Sequence, residues 1–274
     1  MSELVLQIPR KKSKIAKEIN ALITIMARDI TLFFKSPMTI IMSFAMPIVM
    51  MGMLGGSLGQ NMAVGLSFNY GQFMMVGMLV NMLFMTTTMG MTSLVEDHFT
   101  DFTQEMMVSP VSRYSIIIGK ILGSSFGAIA GMLGTIIVGL FMGITLGVGQ
   151  LLLILALSPL MCLAAGAVAM LILGFIKSNR LANLAVMLVV MPQMFLSGAI
   201  IPINHSSGIL LWISRVMPMT YCLDLTRAVV YAGTPEYDSV VMFNPLITFI
   251  AIVGLTLICL VIGTFVFARS EKNR

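Results

Sequence analysis

The sequence predicts an all-α integral membrane protein with six transmembrane helices, and three features carry that reading: composition, the spacing of charges, and the sidedness of Lys and Arg. Hydrophobic residues make up 58% of the 274-residue chain and charged residues 10%, with mean hydropathy +1.00; a soluble domain carries about 25% charged residues. Most of the chain is therefore dissolved in lipid. A charge at the centre of a spanning helix costs roughly 2.5 to 3.5 kcal/mol, so long uncharged intervals mark the spans. No charge occurs between Lys35 and Glu96, Lys120 and Lys177, Arg180 and Arg215, or Asp238 and Arg269.

A crossing uses about 20 residues at 1.5 Å each, so the first two intervals each hold a pair of spans and the last two hold one apiece. The spans are expected near Met38 to Leu58, Tyr70 to Val95, Ile116 to Leu146, Leu151 to Ile176, Leu181 to Ile201 and Pro245 to Ala268. With a cytoplasmic N-terminus, all but two of the 16 Lys and Arg fall inside, the exceptions being Arg215 and Arg227. This asymmetry places both termini in the cytoplasm and explains the net charge of +5 as topology, with no nucleic-acid partner needed. The first apolar run begins at Met38 and is a full span long, so no cleaved signal peptide is expected.

Ahead of the first span, Ile15, Ile19, Leu22, Met26, Ile30 and Phe33 recur at helical spacing opposite Lys14, Lys17, Arg28 and Lys35. That pattern predicts an amphipathic helix in the inner interface within residues 1–37, serving either as an anchor or as a rest for a cytoplasmic partner. Ser36-Pro37 ends it. In the third span Gly119, Gly123, Gly127, Gly131, Thr135, Gly139, Gly143 and Gly147 recur every four residues, a stripe for close helix packing. It drifts by about 40° per step at 3.6 residues per turn, so different neighbours should meet different parts. The three cysteines, Cys162, Cys222 and Cys259, have neither disulfide nor metal spacing.

The turn after the second span, "EDHFTDFTQEMMVSP", is acidic where cytoplasmic loops are normally basic, and Phe99, Phe102 and Met106 form an apolar strip. It fits a solvated turn or a helix docked in a partner's groove. The segment 202–244 reads as two short half-apolar helices, Ser206 to Met217 and Met219 to Ala232, parted by Pro218. Trp212 and Tyr221 suit an interface, and Asp224 and Arg227 share a helical face. That pair fits an exposed surface contact or a self-neutralising one held in the membrane. Met-rich stretches, including Met78, Met85, Met187 and Met191, fit an adaptable pocket for apolar ligands or drift in a lipid-facing sequence. Polar Asn81 and Gln193 inside spans face the bundle or a cavity.

"QEMMVSPVSRYSIIIGKILG", Gln104 to Gly123, resembles the cytoplasmic helix and following span of type-2 ABC exporter permeases. "MFLSGAIIPI", Met194 to Ile203, resembles the end of that family's fifth span, and "VMPMTYCLDLTRAVVYAG", Val216 to Gly233, its outer segment before the sixth. The resemblance covers nearly the whole chain and implies a single transmembrane permease domain over residues 1–274. It further implies a coupling helix within 96–110 that contacts the ATPase through Asp101, Phe102, Gln104, Glu105, Met106, Val108, Ser109 and Pro110. Glu96 to Thr100 departs from the family pattern. The outer segment would be a re-entrant helical hairpin with Tyr221, Asp224 and Arg227 at an outer gate, and Met78, Asn81, Met85, Met187, Met191 and Phe195 would line a substrate path.

The function so implied is the permease subunit of an ATP-driven exporter of amphipathic drugs or lipid-like molecules, with lipid-linked glycans as the alternative cargo. It would sit in the cytoplasmic membrane of a prokaryote, pair with a second permease, and bind two copies of an ATPase subunit that carry ATP and Mg. The chain has no G-x-x-x-x-G-K-[ST] loop of its own, so no cofactor is expected on it. No H-E-x-x-H motif is present, and Ser197 and His205 are split by Pro202, which argues against an intramembrane protease. A channel or secondary carrier would normally show ionisable groups at mid-membrane or an inverted repeat, and neither is evident.

The topology yields a direct expectation. In a cysteine-free background, Gly208→Cys should react with an impermeant maleimide from outside intact cells and Ser178→Cys only after permeabilisation; the reverse pattern would invert the orientation.

Overall fold

The computed structural model describes residues 14–55, 68–98, 112–176, 178–203 and 208–272. The fold is all-helical among these, in the order α1 (Lys14–Lys35), α2 (Pro37–Met50, extended by a π turn Met51–Gly55), α3 (Tyr70–His98), α4 (Arg113–Phe141), α5 (Val148–Leu173), α6 (Asn179–Leu196), α7 (Ile209–Val216), α8 (Pro218–Val230), α9 (Tyr237–Val240) and α10 (Pro245–Lys272). Four stretches among the described residues are long and apolar enough to cross a bilayer unaided: α3, α4, α5 and α9 with α10. α2 has 14 residues and α6 has 18, so each is shorter than its expected span. α1 and α2 meet at a bend of 78°. Pro37 forbids a helical Ser36 and starts α2 at its first position.

Prolines inside helices leave carbonyls that a bilayer could not satisfy, and the chain deals with two of them locally. Pro159 of α5 cannot donate to Leu155, whose carbonyl instead accepts the Ser158 hydroxyl at 2.8 Å. Pro47 of α2 frees the Ser43 carbonyl, which points at α4, where a Cβ on Gly134 would stand 3.1 Å from it. Glycine there lets the oxygen approach the neighbouring backbone.

α3 is the axis of the bundle and is buried along most of its length, packed by α4, α5, α6 and α8. The glycine stripe of α4 meets its neighbours in sequence along the helix. A Cβ on Gly119 would touch Leu22 of α1, one on Gly123 would stand 2.7 Å from Asp29 Cβ, and one on Gly127 would be 3.2 Å from the Phe33 ring. Gly131 then lies between Met82 of α3 and the Ser43 carbonyl of α2, Gly134 faces Phe44 and Ser43 of α2, and Gly139 is filled by Met75 of α3. The drift of the stripe thus hands α4 from α1 to a shared contact with α2 and α3, and then to α3. The expected third span is too long at its end. α4 stops at Phe141, where the Ile144 amide closes on the Gly139 carbonyl at 2.9 Å and Gly143 takes φ +79, a left-handed helix cap that glycine adopts without strain.

The expected apolar side of α1 is divided between the bundle and the outer surface. The residues packed on α4 are Leu22, Ile25, Asp29 and Phe33, while Ile15, Ile19 and Ile23 stay exposed along another side. A charged residue therefore lies on the packed face. Asp29 pairs with Lys120 of α4 at 2.9 Å, their side chains 10% and 4% exposed. Glu18 reaches the start of α4, where both carboxylate oxygens accept the Ser112 amide at 2.9 and 3.0 Å.

Close packing at Gly123 sets a stability expectation. Gly123→Val pushes into the Asp29 side chain and should cost about 1 to 3 kcal/mol, read as a lower unfolding midpoint in detergent. Gly149→Ala, where nothing lies within 4 Å of the added carbon, should leave the midpoint unchanged or raise it.

Candidate translocation and outer-gate elements

At the end of the bundle opposite α1, the chain leaving α6 does not run over the surface. Ser197, Ala199, Ile200 and Ile203 are each about 1% exposed while Ile201 reaches the surface at 42%, so most of this irregular backbone lies inside the protein and its buried polar groups need internal partners. Gly198 turns it with φ +87. Its carbonyl accepts Arg227 Nη2 at 2.6 Å, and the Ile200 carbonyl accepts the Tyr70 hydroxyl at 3.1 Å. Gly77 of α3 makes room for it, since a Cβ there would collide with the Ala199 carbonyl.

Arg227 comes from α8, a helix buried on nearly every side between α3, α5 and α10. Its guanidinium is 1% exposed and lies 3.9 Å from the centre of the Phe73 ring, a cation–π contact whose value rises on desolvation. One turn away, Asp224 is 2% exposed. Its carboxylate accepts the amides of Met242 and Phe243 at 2.7 and 3.1 Å and the Thr248 hydroxyl at 3.2 Å. It thereby ties α8 to the start of α10, where the helix dipole favours a negative charge. Asp224 and Arg227 are not an ion pair with each other. Both are buried, which sets aside an exposed surface contact; each bonds to a different element, and their opposite charges still favour one another one turn apart.

Tyr221, also expected at a gate, donates to the Arg215 carbonyl at 2.6 Å and stacks on Phe243 at 5.7 Å. The helix–Pro–helix hairpin expected around Pro218 is present, though its arms differ. α7 is half exposed, with Trp212 and Val216 at its surface, whereas α8 is core. Cys222 of α8 is fully buried.

The residues expected along a substrate path are not brought together. Met78 and Asn81 of α3 lie in the core, the latter with Nδ2 unpartnered. Met85 lines a cavity on the α1 side of the bundle. Met187, Met191 and Phe195 are exposed on α6, in an apolar strip with Leu184 and Leu188. Gln193 points the opposite way and is buried. The coupling residues Asp101, Phe102, Gln104, Glu105, Met106, Val108, Ser109 and Pro110 lie outside the described residues. Two sites escaped the sequence reading: the Asp29–Lys120 pair, and the grip of Arg227 on the tail of α6. For the first, two acidic residues, Glu18 and Asp29, in a helix otherwise rich in bases were the available signal.

Comparison with known proteins adds the class. The family description "ABC-2 type transporter" matches residues 20–231, a region that runs from α1 through α8. The chain belongs to the ABC-2 type transporter family, as a multi-pass permease of an ABC transporter, and such permeases normally work with an ATPase partner. No curated protein matches it.

The Arg227 contact gives a testable consequence. Arg227→Leu leaves the Gly198 carbonyl without its donor, at a cost of about 1 to 3 kcal/mol for an unsatisfied buried group, and should loosen the tail of α6. In a cysteine-free background, Ser197→Cys should resist an impermeant maleimide alone and react in the Arg227→Leu chain; equal protection in both would show that the tail is held without Arg227.

Proposed function

We propose that this chain is the permease subunit of an ATP-driven exporter of amphipathic drugs or lipid-like molecules, with six crossings and both termini in the cytoplasm. The observation that carries the reading is the family match over residues 20–231, on a sequence without a phosphate-binding loop. On this reading α2 with its π turn is the first crossing and α6 with its buried tail the fifth, the shortness of each being offset by its neighbour, α1 or the 197–203 turn. The exposed strip Leu184, Met187, Leu188, Met191 and Phe195 is the surface that a second permease covers around a central path. Its unbranched methionines suit varied apolar cargo.

ATP and Mg belong to the partner subunit, which docks on the segment Asp101 to Pro110. That segment leads directly into α4, whose first amide is held by Glu18 of α1. A push on it would move α4 and α1 together. The hairpin of α7 and α8, gripped through Arg227 and Asp224, closes the outer exit.

Docking at this segment can be tested by charge reversal. Glu105→Lys would leave a partner cation unpaired at a cost on the order of 2 to 5 kcal/mol, while membrane insertion stays normal because an added base only strengthens the inside bias. Capture of the ATPase subunit, export, and substrate-stimulated ATP hydrolysis should all fall. Wild-type capture and export in a chain carrying Glu105→Lys with Met106→Ala would remove the docking assignment.

A further inference from the structure

A cavity of about 770 Å³ lies between the α1–α2 elbow and the facing halves of α3 and α4. It is separate from the exposed strip of α6, none of whose residues lines it. It extends along α3, where Met82 and Ser93 both line it and stand roughly 16 Å apart at the helical rise of 1.5 Å per residue. The chemistry changes over that length. Met82 and Met85 of α3, with Met42 and Met46 of α2, make one end apolar. The other end holds Ser93 of α3, Ser124 of α4 and the Asp29–Lys120 pair, and Gly90 lets Ser124 close on α3 there.

The charged groups of the wall are engaged within the protein. Asp29 and Lys120 pair at 2.9 Å, and Arg28 has interaction partners of its own, as they do, so selectivity has to come from the hydroxyls. Ser93 donates to the Gly90 carbonyl at 2.6 Å, Ser124 to the Ile121 carbonyl at 2.9 Å and Ser43 to the Thr39 carbonyl at 2.9 Å. Each of these protons is spent inside its own helix, while each oxygen keeps lone pairs. In the elbow the Ser36 and Thr39 hydroxyls are bonded to each other at 2.7 Å, which leaves one proton between them. Three acceptors stand against one donor. The lining suits a ligand that gives hydrogen bonds.

The mouth of the cavity shows where the occupant comes from. Leu32 and Met42 both line it and both stand half exposed on the apolar outer surface, at 50% and 46%. A ligand enters between two side chains that face lipid. The volume is that of a pocket for a drug-sized molecule, enough for a headgroup and the upper part of one chain, with the remainder left in the bilayer.

We propose that this cavity binds an ethanolamine phospholipid from the adjoining leaflet, its ammonium donating to the Ser93 and Ser124 hydroxyl oxygens and one acyl chain lying along the methionines. A primary ammonium has three protons to give and a choline head has none, although the two lipids carry the same net charge. The wall therefore separates them by hydrogen bonding alone. Methionine adapts to a flexible chain. The lipid fills the angle of the elbow and joins α1 and α2 to α3 and α4, so it acts as a structural ligand of the permease whatever the cargo is.

The test uses the full chain reconstituted in phosphatidylcholine vesicles. Trp212→Phe removes the lone tryptophan, and Met42→Trp places a reporter at the mouth. Phosphatidylethanolamine, phosphatidylcholine and phosphatidylglycerol, each brominated on its acyl chains, are compared as quenchers at equal low mole fraction. The expected result is about a fivefold preference for phosphatidylethanolamine over phosphatidylcholine, the effect of one net hydrogen bond, with phosphatidylglycerol no stronger than phosphatidylethanolamine. Ser93→Ala with Ser124→Ala should abolish the preference, and a control reporter, Ile262→Trp on the exposed face of α10, should show none. The proposal is overturned if phosphatidylcholine quenches Met42→Trp as well as phosphatidylethanolamine does or better, or if phosphatidylglycerol quenches it more. Survival of the preference in the double alanine chain, or the same preference at Ile262→Trp, would overturn it equally. Should Met42→Trp fail to incorporate, Leu32→Trp reads the same mouth.

Discussion

The buried guanidinium of Arg227 is the contact on which one half of this molecule depends. A cation removed from water costs several kcal/mol unless it is paired or well hydrogen-bonded, and here the return comes from the Gly198 carbonyl and the face of Phe73. Those two partners belong to different parts of the chain, the tail of α6 and the start of α3. Arg227 cannot be satisfied until α3, α6 and α8 are in place together. The same holds for Asp224, which needs the amides ahead of α10. Two charges on one short helix therefore specify how four elements meet.

The opposite end is organised by the same physics with different parts. Asp29 and Lys120 are buried together, and the close approach that buries them is possible only because Gly123 carries no side chain. The glycine stripe of α4 is thus more than a packing surface. It lets an interfacial helix bring a carboxylate to within 2.9 Å of a buried lysine. Glu18 adds a second tie: while the Ser112 hydroxyl caps α4 by accepting the Tyr114 amide, Glu18 accepts the Ser112 amide itself.

Much of this was legible in the sequence. Charge-free intervals located the apolar helices because insertion energetics act on each residue where it stands, and the drift of Gly119 to Gly139 foretold the change of partners because helical geometry is regular. Pro37 and Pro218 marked their corners for the same local reason. What stayed hidden was long-range. Asp224 and Arg227 share a face of α8, so the sequence suggested that they meet. Nothing local shows that Gly198 and Met242 arrive closer. The apolar side of α1 was legible as a stripe, but lipid and protein both select hydrophobic side chains, and the pattern alone does not say that Leu22 and Phe33 pack on α4 while Ile15 and Ile19 stay exposed. The methionines of α3 and α6 looked alike in sequence for that reason too, yet Met78 is core and Met191 is surface.

The two charged clusters also differ in what they could do during transport. Lys120 and Asp29 join helices that are adjacent along most of their contact, α1 and α4, so moving one carries the other and the pair acts as a weld. Arg227 instead holds a short irregular segment, whose backbone has few alternatives to its present partners. Releasing Gly198 would expose carbonyls that lipid cannot satisfy, but water in an opened exit could. On the proposed reading this makes the grip conditional on solvent: stable while the outer end is dry, and weakened once water enters between α6 and α8. A gate built this way needs no titrating group. Opening at the α1 end would be transmitted along α4 and α3 as a rigid body, and the outer end would yield where hydration replaces the lost hydrogen bonds, at the tail of α6.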